Sequence, residues 1–375
     1  MFFTFFHLMP WPHLPADFDT NWDSASVTLP NRFFDPAIGA DLYNEYLDQL
    51  EAAERFGFDA VALNEHHQSA YGLMPSPNIV AAALARRTER IKIAVLGNAI
   101  AVRDHPLRVA EELAMLDNIT RGRIISGFVR AIGFEYYIQS INPTHSRDRF
   151  LEAHDLIVKA WTTREPFEYY GDHYEFRYVN VWPRTVQDPH PPIWVPGSGS
   201  RETMQWVAER RYTFLSVYAP SKLVKVWFDT YRAAADNAGY EPEPEKIGLM
   251  LPVYVGETDD AAHAAARPHL EWLYQKALKV PRQLYFPPGY LSLGSLRGML
   301  SAGAKQFAHL TYEDLIEHGY AVVGSAETVT ERLAELRDEL GFGTLCAVLQ
   351  IGDMGHAETL ENVERFGTCV IPALR

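Results

Sequence analysis

Eight short apolar runs recur along this chain, and most are separated by stretches with helical spacing. The runs cover residues 2–8, 58–63, 91–100, 123–129, 192–195, 212–217, 247–255 and 344–351. Each is nearly continuous in apolar, β-favouring residues, as a strand covered on both faces should be. The stretches between them change period. "DLYNEYLDQLEAAERFG" spaces its apolar residues three and four apart and closes on Gly57, which suits a helix with one buried stripe and a glycine stop. "SPNIVAAALARRTER" offers Ser76 as an N-cap and Pro77 just inside, where a missing N–H costs nothing. "HPLRVAEELAMLDNITRG" begins near Pro106, and "SAETVTERLAELRDELG" runs from Ser325 to Gly341. Such alternation calls for a parallel sheet with helices outside it. Eight units favour closure into a (β/α)8 TIM barrel with loop insertions, an α/β fold, over an open doubly wound sheet. One barrel domain then spans residues 1–375.

Three irregular pieces interrupt the pattern, at residues 11–37, 165–191 and 280–311. The last contains "VPRQLYFPPGYLSLGSLRGMLSAGAKQF", which is aromatic and punctuated by Gly and Pro. A loop of that length is either a lid or a surface insertion. The net charge of −14 repels phosphate backbones and anionic lipids, so neither nucleic acid nor a membrane surface is an expected partner. The start, "MFFTFFHLMPW", lacks a basic leader and a small-residue cleavage site and reads as a first strand. No apolar run approaches the ~20 residues of a membrane helix. The two cysteines, Cys346 and Cys369, fit buried free thiols in a reducing cytoplasm better than a disulfide framework.

In barrels of this kind the chemistry sits at the C-terminal ends of the strands. After the second run come Glu65, His66 and His67; after the third, Asn98 and Ala99; after the fourth, Arg130; after the fifth, "VPGSGSRET". Adjacent residues on an extended chain face opposite ways, so the two histidines cannot easily share a metal ion. No HExxH or cysteine-rich pattern completes such a site. They form either a structural pair bonded to Glu65 or backbone, or a pocket-facing proton donor or acceptor with a bystander. Arg130 must be paired or lie at an opening; its partner is Glu135 or Asp148, or else a bound phosphate or carbonyl. Asn98 is a handle for a flat heterocycle or a satisfied core amide. Around Gly197, Ser198, Gly199, Ser200 and Arg201, small residues, hydroxyls, a cation and a helix start come together. That combination suits a mononucleotide phosphate; a turn capped by Ser200 is the alternative. Its glycine spacing matches neither a dinucleotide fingerprint nor a P-loop. Trp11, Tyr71, Trp194, Tyr218, Tyr285, Phe286 and Tyr290 fall in or near rim segments and suit a flat or apolar ligand. Of these, Trp11, Tyr218 and Tyr285 are the candidate substrate contacts.

The block "ALNEHHQSAYGLMPSPNIVAAALARRTERIKIAVLGNAIAVRDHPLRVAEELAMLDNITRGRIISGFVR" resembles the bacterial luciferase-like, flavin-dependent monooxygenase family, as do "PPIWVPGSGS" and "IGDMGHAETLENVERFGTCVIPALR". The resemblance implies a barrel that binds flavin mononucleotide (FMN) at its C-terminal rim in reduced form. A separate reductase supplies it, so NAD(P)H acts only indirectly. Dioxygen, the co-substrate, adds at the flavin C4a carbon, and the resulting (hydro)peroxyflavin oxygenates a small organic substrate. By position, His66 is the catalytic histidine, Arg130 contacts the flavin, and residues 197–201, with Thr203 close behind, hold its phosphate. Asn98 and Ala99 pass beneath the ring, with a non-prolyl cis peptide in the 98–100 segment. Val129 and Gly197 differ from luciferase itself, which points to hydroxylation or Baeyer–Villiger-type oxygenation rather than light emission. A homodimer is in keeping with the family. The alternatives are an oxidoreductase using a deazaflavin coenzyme, and a non-catalytic flavin-binding partner subunit.

Overall fold

In a computed structural model, residues 1–291 and 307–375 are described. Eight parallel strands form the closed ring: β1 (Phe2–His7), β2 (Ala60–Leu63), β3 (Lys92–Ala99), β4 (Ile124–Val129), β7 (Ile193–Gly197), β8 (Thr213–Ser216), β9 (Ile247–Gly256) and β11 (Thr344–Val348). Neighbours pair in chain order, β9 pairs with both β8 and β11, and β11 returns to β1 through Phe2–Thr344 and Phe6–Val348. The fold is therefore a (β/α)8 barrel, with each of the eight apolar runs supplying one ring strand.

Alternation within the strands explains why they read as continuously apolar. On β1, Phe3 and Phe5 pack outward with helical residues such as Leu50 and Ala53, while Phe6 belongs to a second cluster with Ala62, Ala94, Ile125, Trp194, Met250 and Cys346. Both faces are dry, so both must be apolar. The interior is lined by small residues along β2 and β3 and by Trp194 on β7. Gly127 on β4 fits the tight side of the ring: a Cβ there would lie 2.3 Å from the Val95 carbonyl and 2.5 Å from the Leu96 Cα.

A hairpin and one short strand were not legible in the apolar pattern, and one helix starts earlier than expected. An antiparallel hairpin, β5 (Phe167–Tyr170) with β6 (Glu175–Val179), rides outside the barrel. Its strands alternate between exposed and half-buried residues, and they lie in a segment taken for irregular loop. A ninth parallel strand, β10 (Val322–Ser325), pairs with the far end of β9, outside the ring. The first long helix spans Pro36–Arg55 rather than starting near residue 41, because Asp35 caps it through Ala37 N–H (2.8 Å) and Ile38 N–H (3.4 Å). Helices Pro77–Arg87, Leu107–Thr120 and Ala326–Leu340 match the expected spans, and the last ends on left-handed Gly341. Among the described residues, no helix is long and apolar enough to cross a membrane.

Replacing Gly127 with Ala should destabilise the fold by about 1–3 kcal/mol, the usual cost of overpacking. Denaturant unfolding checks this, and an unchanged midpoint would mean that β3 and β4 can separate freely.

Candidate functional site at the C-terminal rim

The two histidines after β2 part company, each toward its own carboxylate. His67 Nε2 bonds Glu65 Oε1 at 2.7 Å. Glu65 is fully buried as a side chain, and its other oxygen accepts from Arg103 (2.7 Å) and from the Ala99 N–H (3.3 Å). His66 turns the other way, with Nδ1 3.0 Å from Glu135 Oε1. Glu135 Oε2 accepts from the Ile132 N–H at 2.9 Å, which holds the carboxylate at the first turn of helix Gly133–Ile138. An ionised carboxylate only accepts, so with Glu135 ionised the His66 proton sits on Nδ1 and Nε2 is left open. That nitrogen has no hydrogen-bond partner among the described residues. The Tyr71 ring packs edge-on to the imidazole, 4.6 Å between centroids.

Arg130 forms neither of the expected ion pairs. Glu135 is taken by His66 and Ile132, and no contact joins Arg130 to Asp148. Instead the guanidinium lies 4.2 Å from the ring centre of Tyr290, and the Tyr290 hydroxyl donates to the Ala131 carbonyl at 2.7 Å. Tyr285 and Pro287 close over Gly133, where a Cβ would meet the Tyr285 carbonyl at 2.2 Å. The first part of the 280–311 insertion thus docks on the end of β4. Residues 292–306 of the expected lid lie outside the described residues.

Other singled-out residues have partners of their own within the fold. The Asn98 side chain is a core amide: Asn78 Nδ2 donates to its Oδ1 at 3.2 Å, and its own Nδ2 reaches Asn78 Oδ1 at 3.4 Å. The strand register shifts between Leu96 and Asn98, next to the buried Asn98–Asn78 pair. The cis peptide expected in the 98–100 segment is absent; among the described residues the cis bonds are Trp182–Pro183 and Asp188–Pro189. Trp11 is also spoken for. It is buried against Phe34 and donates its indole N–H to the His13 carbonyl at 3.0 Å. Cys346 points into the barrel, where burial pushes its thiol up, whereas Cys369 is exposed, against expectation.

The turn after β7 contains the Ser200 cap. Ser200 Oγ accepts from the Thr203 N–H (3.3 Å) and donates to Glu202 (3.0 Å), so it is an N-cap of helix Arg201–Glu209. Gly199 is left-handed, and a Cβ would run into Trp227 at 2.8 Å, so only glycine fits this cradle. Ser198 and Arg201 are exposed beside it. Beside Glu202 lies a residue the sequence did not single out, Arg147. Burial holds its guanidinium below the ordinary value; Glu202 counters this, and the like charge of Arg130 adds to it. Two arginines that feel one another's charge are candidates for holding an anion. Its signal, a charged residue in "THSRDRF", is indistinguishable from a solvated helix start.

Aromatic hydroxyls gather at the same mouth. The acidities of Tyr71, Tyr218 and Tyr285 are all weakened first by burial, and Tyr71 feels Tyr218, Tyr285 and Glu135 in turn. The Tyr285 hydroxyl is pushed up to about 12. The Tyr218 hydroxyl is buried without a partner among the described residues. Four non-glycine residues with positive φ lie just past strand ends on this face: Met9 (53°), Gln68 (46°), Ala131 (70°) and Tyr218 (44°). Strain of this kind collects where a surrounding structure enforces it, commonly at functional sites.

A barrel whose rim presents a carboxylate-held histidine, an arginine at the end of β4 and a glycine–serine turn belongs with the flavin-binding oxygenases of this fold. The model for the luciferase-like monooxygenases matches residues 24–343, and the chain belongs to that family; it is a flavin-dependent monooxygenase. It is 30% identical over 350 residues to the oxygenase component of the flavin-dependent trigonelline monooxygenase of Acinetobacter baylyi, covering 91% of this chain and 92% of that one. It is 26% identical to the FMNH2-dependent dimethylsulfone monooxygenase of Pseudomonas putida, over 89% and 88% of the two chains. The crystal structure of the monooxygenase RslO1 from Streptomyces bottropensis superposes with a TM-score of 0.76 at 25% identity, covering all of both chains.

Removing the Glu65 carboxylate (Glu65→Ala) strands Arg103, His67 and the Ala99 N–H. This should cost about 3 kcal/mol, the scale for breaking one side of a buried pair, read as a lowered unfolding midpoint. Arg147→Ala should weaken FMN binding about tenfold, in line with loss of one charge-assisted contact, while riboflavin, which lacks the phosphate, binds as before. Equal losses for both ligands in a fluorescence titration would remove Arg147 from the phosphate site.

Proposed function

We propose that the protein is the oxygenase component of a two-component system. Reduced FMN comes from a separate reductase, dioxygen is the co-substrate, and one oxygen atom is delivered to a small organic molecule. The observation that carries this is the grouping at one end of the barrel: His66 held by Glu135 from the helix after β4, Arg130 at the end of β4, and the Ser200-capped turn after β7. In this reading a proton-handling group and a phosphate-holding turn share one rim. The similarity to the trigonelline oxygenase component and the FMNH2-dependent enzyme supports the same cofactor and arrangement.

In this proposal the backbone and Ser198 of the 197–200 turn, with Arg147 and Arg201, hold the phosphate. Arg130 flanks the ring, and the backbone of Asn98 and Ala99 supports it from β3. The bound reduced flavin supplies the electrons that activate oxygen. The protein's own tasks are to keep water out and to manage one proton. Tyr71, Tyr218, Tyr285 and Tyr290 form an apolar wall that excludes solvent. His66 Nε2 holds or releases the proton, with Glu135 keeping the ring in one tautomer and orientation. Hydroxylation or Baeyer–Villiger-type oxygenation, and a homodimer, belong to this proposal.

The test is oxygen consumption and product analysis with a flavin reductase, NADH and FMN, using panels of N-heterocycles, ketones and sulfones. Incorporation of one labelled oxygen from dioxygen is the expected result. Absence of reduced-FMN binding, with binding of a reduced deazaflavin coenzyme instead, would replace this proposal by the dehydrogenase alternative. Replacing His66 with Ala should cut product formation about 100-fold or more, the range for general acid–base groups, and leave FMN affinity within about twofold. Parallel losses in both would make His66 a structural residue.

A further inference from the structure

A second cluster of coordinating side chains lies outside the flavin site. His145 closes the short turn Pro143–His145, Asp148 sits in the first turn of helix Ser146–Thr162, and His173 lies at the tip of the β5–β6 hairpin. Their ligand atoms all fall within 4.8 Å of one another, the one such group among the described residues. The two imidazole centroids are 5.7 Å apart. None of the three side chains is engaged in a hydrogen bond or ion pair among the described residues, and all are at least partly exposed. Backbone restraints nevertheless hold two of the segments. Asn142 Oδ1 caps the turn through the Thr144 N–H at 3.0 Å. Glu152 accepts from the His173 and Tyr174 N–H groups, both at 2.9 Å. The loops are positioned; only the side-chain tips are free to adjust.

We propose that His145, Asp148 and His173 form an open three-ligand site for a transition-metal dication such as Zn²⁺. Two imidazole nitrogens and one carboxylate oxygen suit zinc, cobalt or nickel and not the all-oxygen shells of calcium or magnesium. A tetrahedral ion at these bond lengths sets its ligand atoms about 3.4 Å apart, so closing from 4.8 Å asks only for side-chain rotation. Three protein ligands leave the fourth position to water. The bound ion would clip the hairpin tip to the segment that also carries Arg147, on the opposite side of the same helix start. The net charge of −14 raises the local concentration of cations.

The experiment is a Co²⁺ titration of the full-length protein carrying no histidine tag, followed by visible absorption. One saturable equivalent per chain is expected, displaced by Zn²⁺. His145→Ala and His173→Ala should each weaken binding at least ~10-fold, since even lost outer-shell partners cost that much, and Asp148→Asn should weaken it too. Zn²⁺ should raise the melting temperature of the wild type and not of the His145→Ala/His173→Ala double variant, because only a ligand of the native state stabilises it. The His173→Ala variant should bind FMN as the wild type does. Absence of saturable binding at millimolar Co²⁺, or binding unchanged in the double variant, overturns the site. Circular dichroism of each variant separates lost ligands from lost folding.

Discussion

One buried carboxylate organises the rim on which the rest depends. Glu65 stands where β2 ends, and its two oxygens hold His67, Arg103 and the Ala99 N–H. Those partners come from the strand end itself, the end of β3 and the turn that follows it. A charge this deep is tolerable only when fully compensated, and its compensation draws the β2 and β3 ends together. It also decides which histidine is available. His67 is consumed in bonding Glu65, while His66 is directed to the opposite side, toward Glu135. The pair "His-His" is thus split between two carboxylates, His67 on Glu65 and His66 on Glu135.

The same economy runs round the mouth of the barrel. The first turn of the helix after β4 supplies Glu135 to His66, while the strand end just before it presents Arg130 to Tyr290 and to the neighbourhood of Arg147. The left-handed Gly199 bends the β7 turn so that Ser200 caps the next helix and backbone N–H groups face the rim. Met9, Gln68, Ala131 and Tyr218 adopt positive φ at four strand ends on this face. Strands cannot leave a crowded barrel mouth in extended form and also point side chains at one centre; the strain is where that conflict is resolved.

Much of the fold was legible in the sequence because its physics is local. Eight dry strands read as eight apolar runs, and caps such as Ser325 and Gly341 lie at helix ends where capping chemistry places them. What escaped notice had weak local signals: the β5–β6 hairpin with its wet faces, and β10, a four-residue strand added outside the ring. At the rim, the positions of His66, Arg130 and the Gly197–Ser200 turn just past strand ends were legible from residue order alone. Asn98 was ambiguous from sequence and proved to be a core amide, because its partner Asn78 lies twenty residues away on another element. Trp11 looked like a rim contact, yet its indole is satisfied within its own loop.

The sequence by itself determined the barrel and the pool of reactive residues at its rim, since periodicity, caps and the position of polar groups at strand ends depend on near neighbours. Only the tertiary structure decided which of those residues act together. Glu135 meets His66 across 69 positions. Arg147 approaches Arg130 and Glu202 from a helix start that looks ordinary in the chain. Pairings between buried charges are set by ring closure and helix packing, and no local pattern encodes a distance across the barrel mouth.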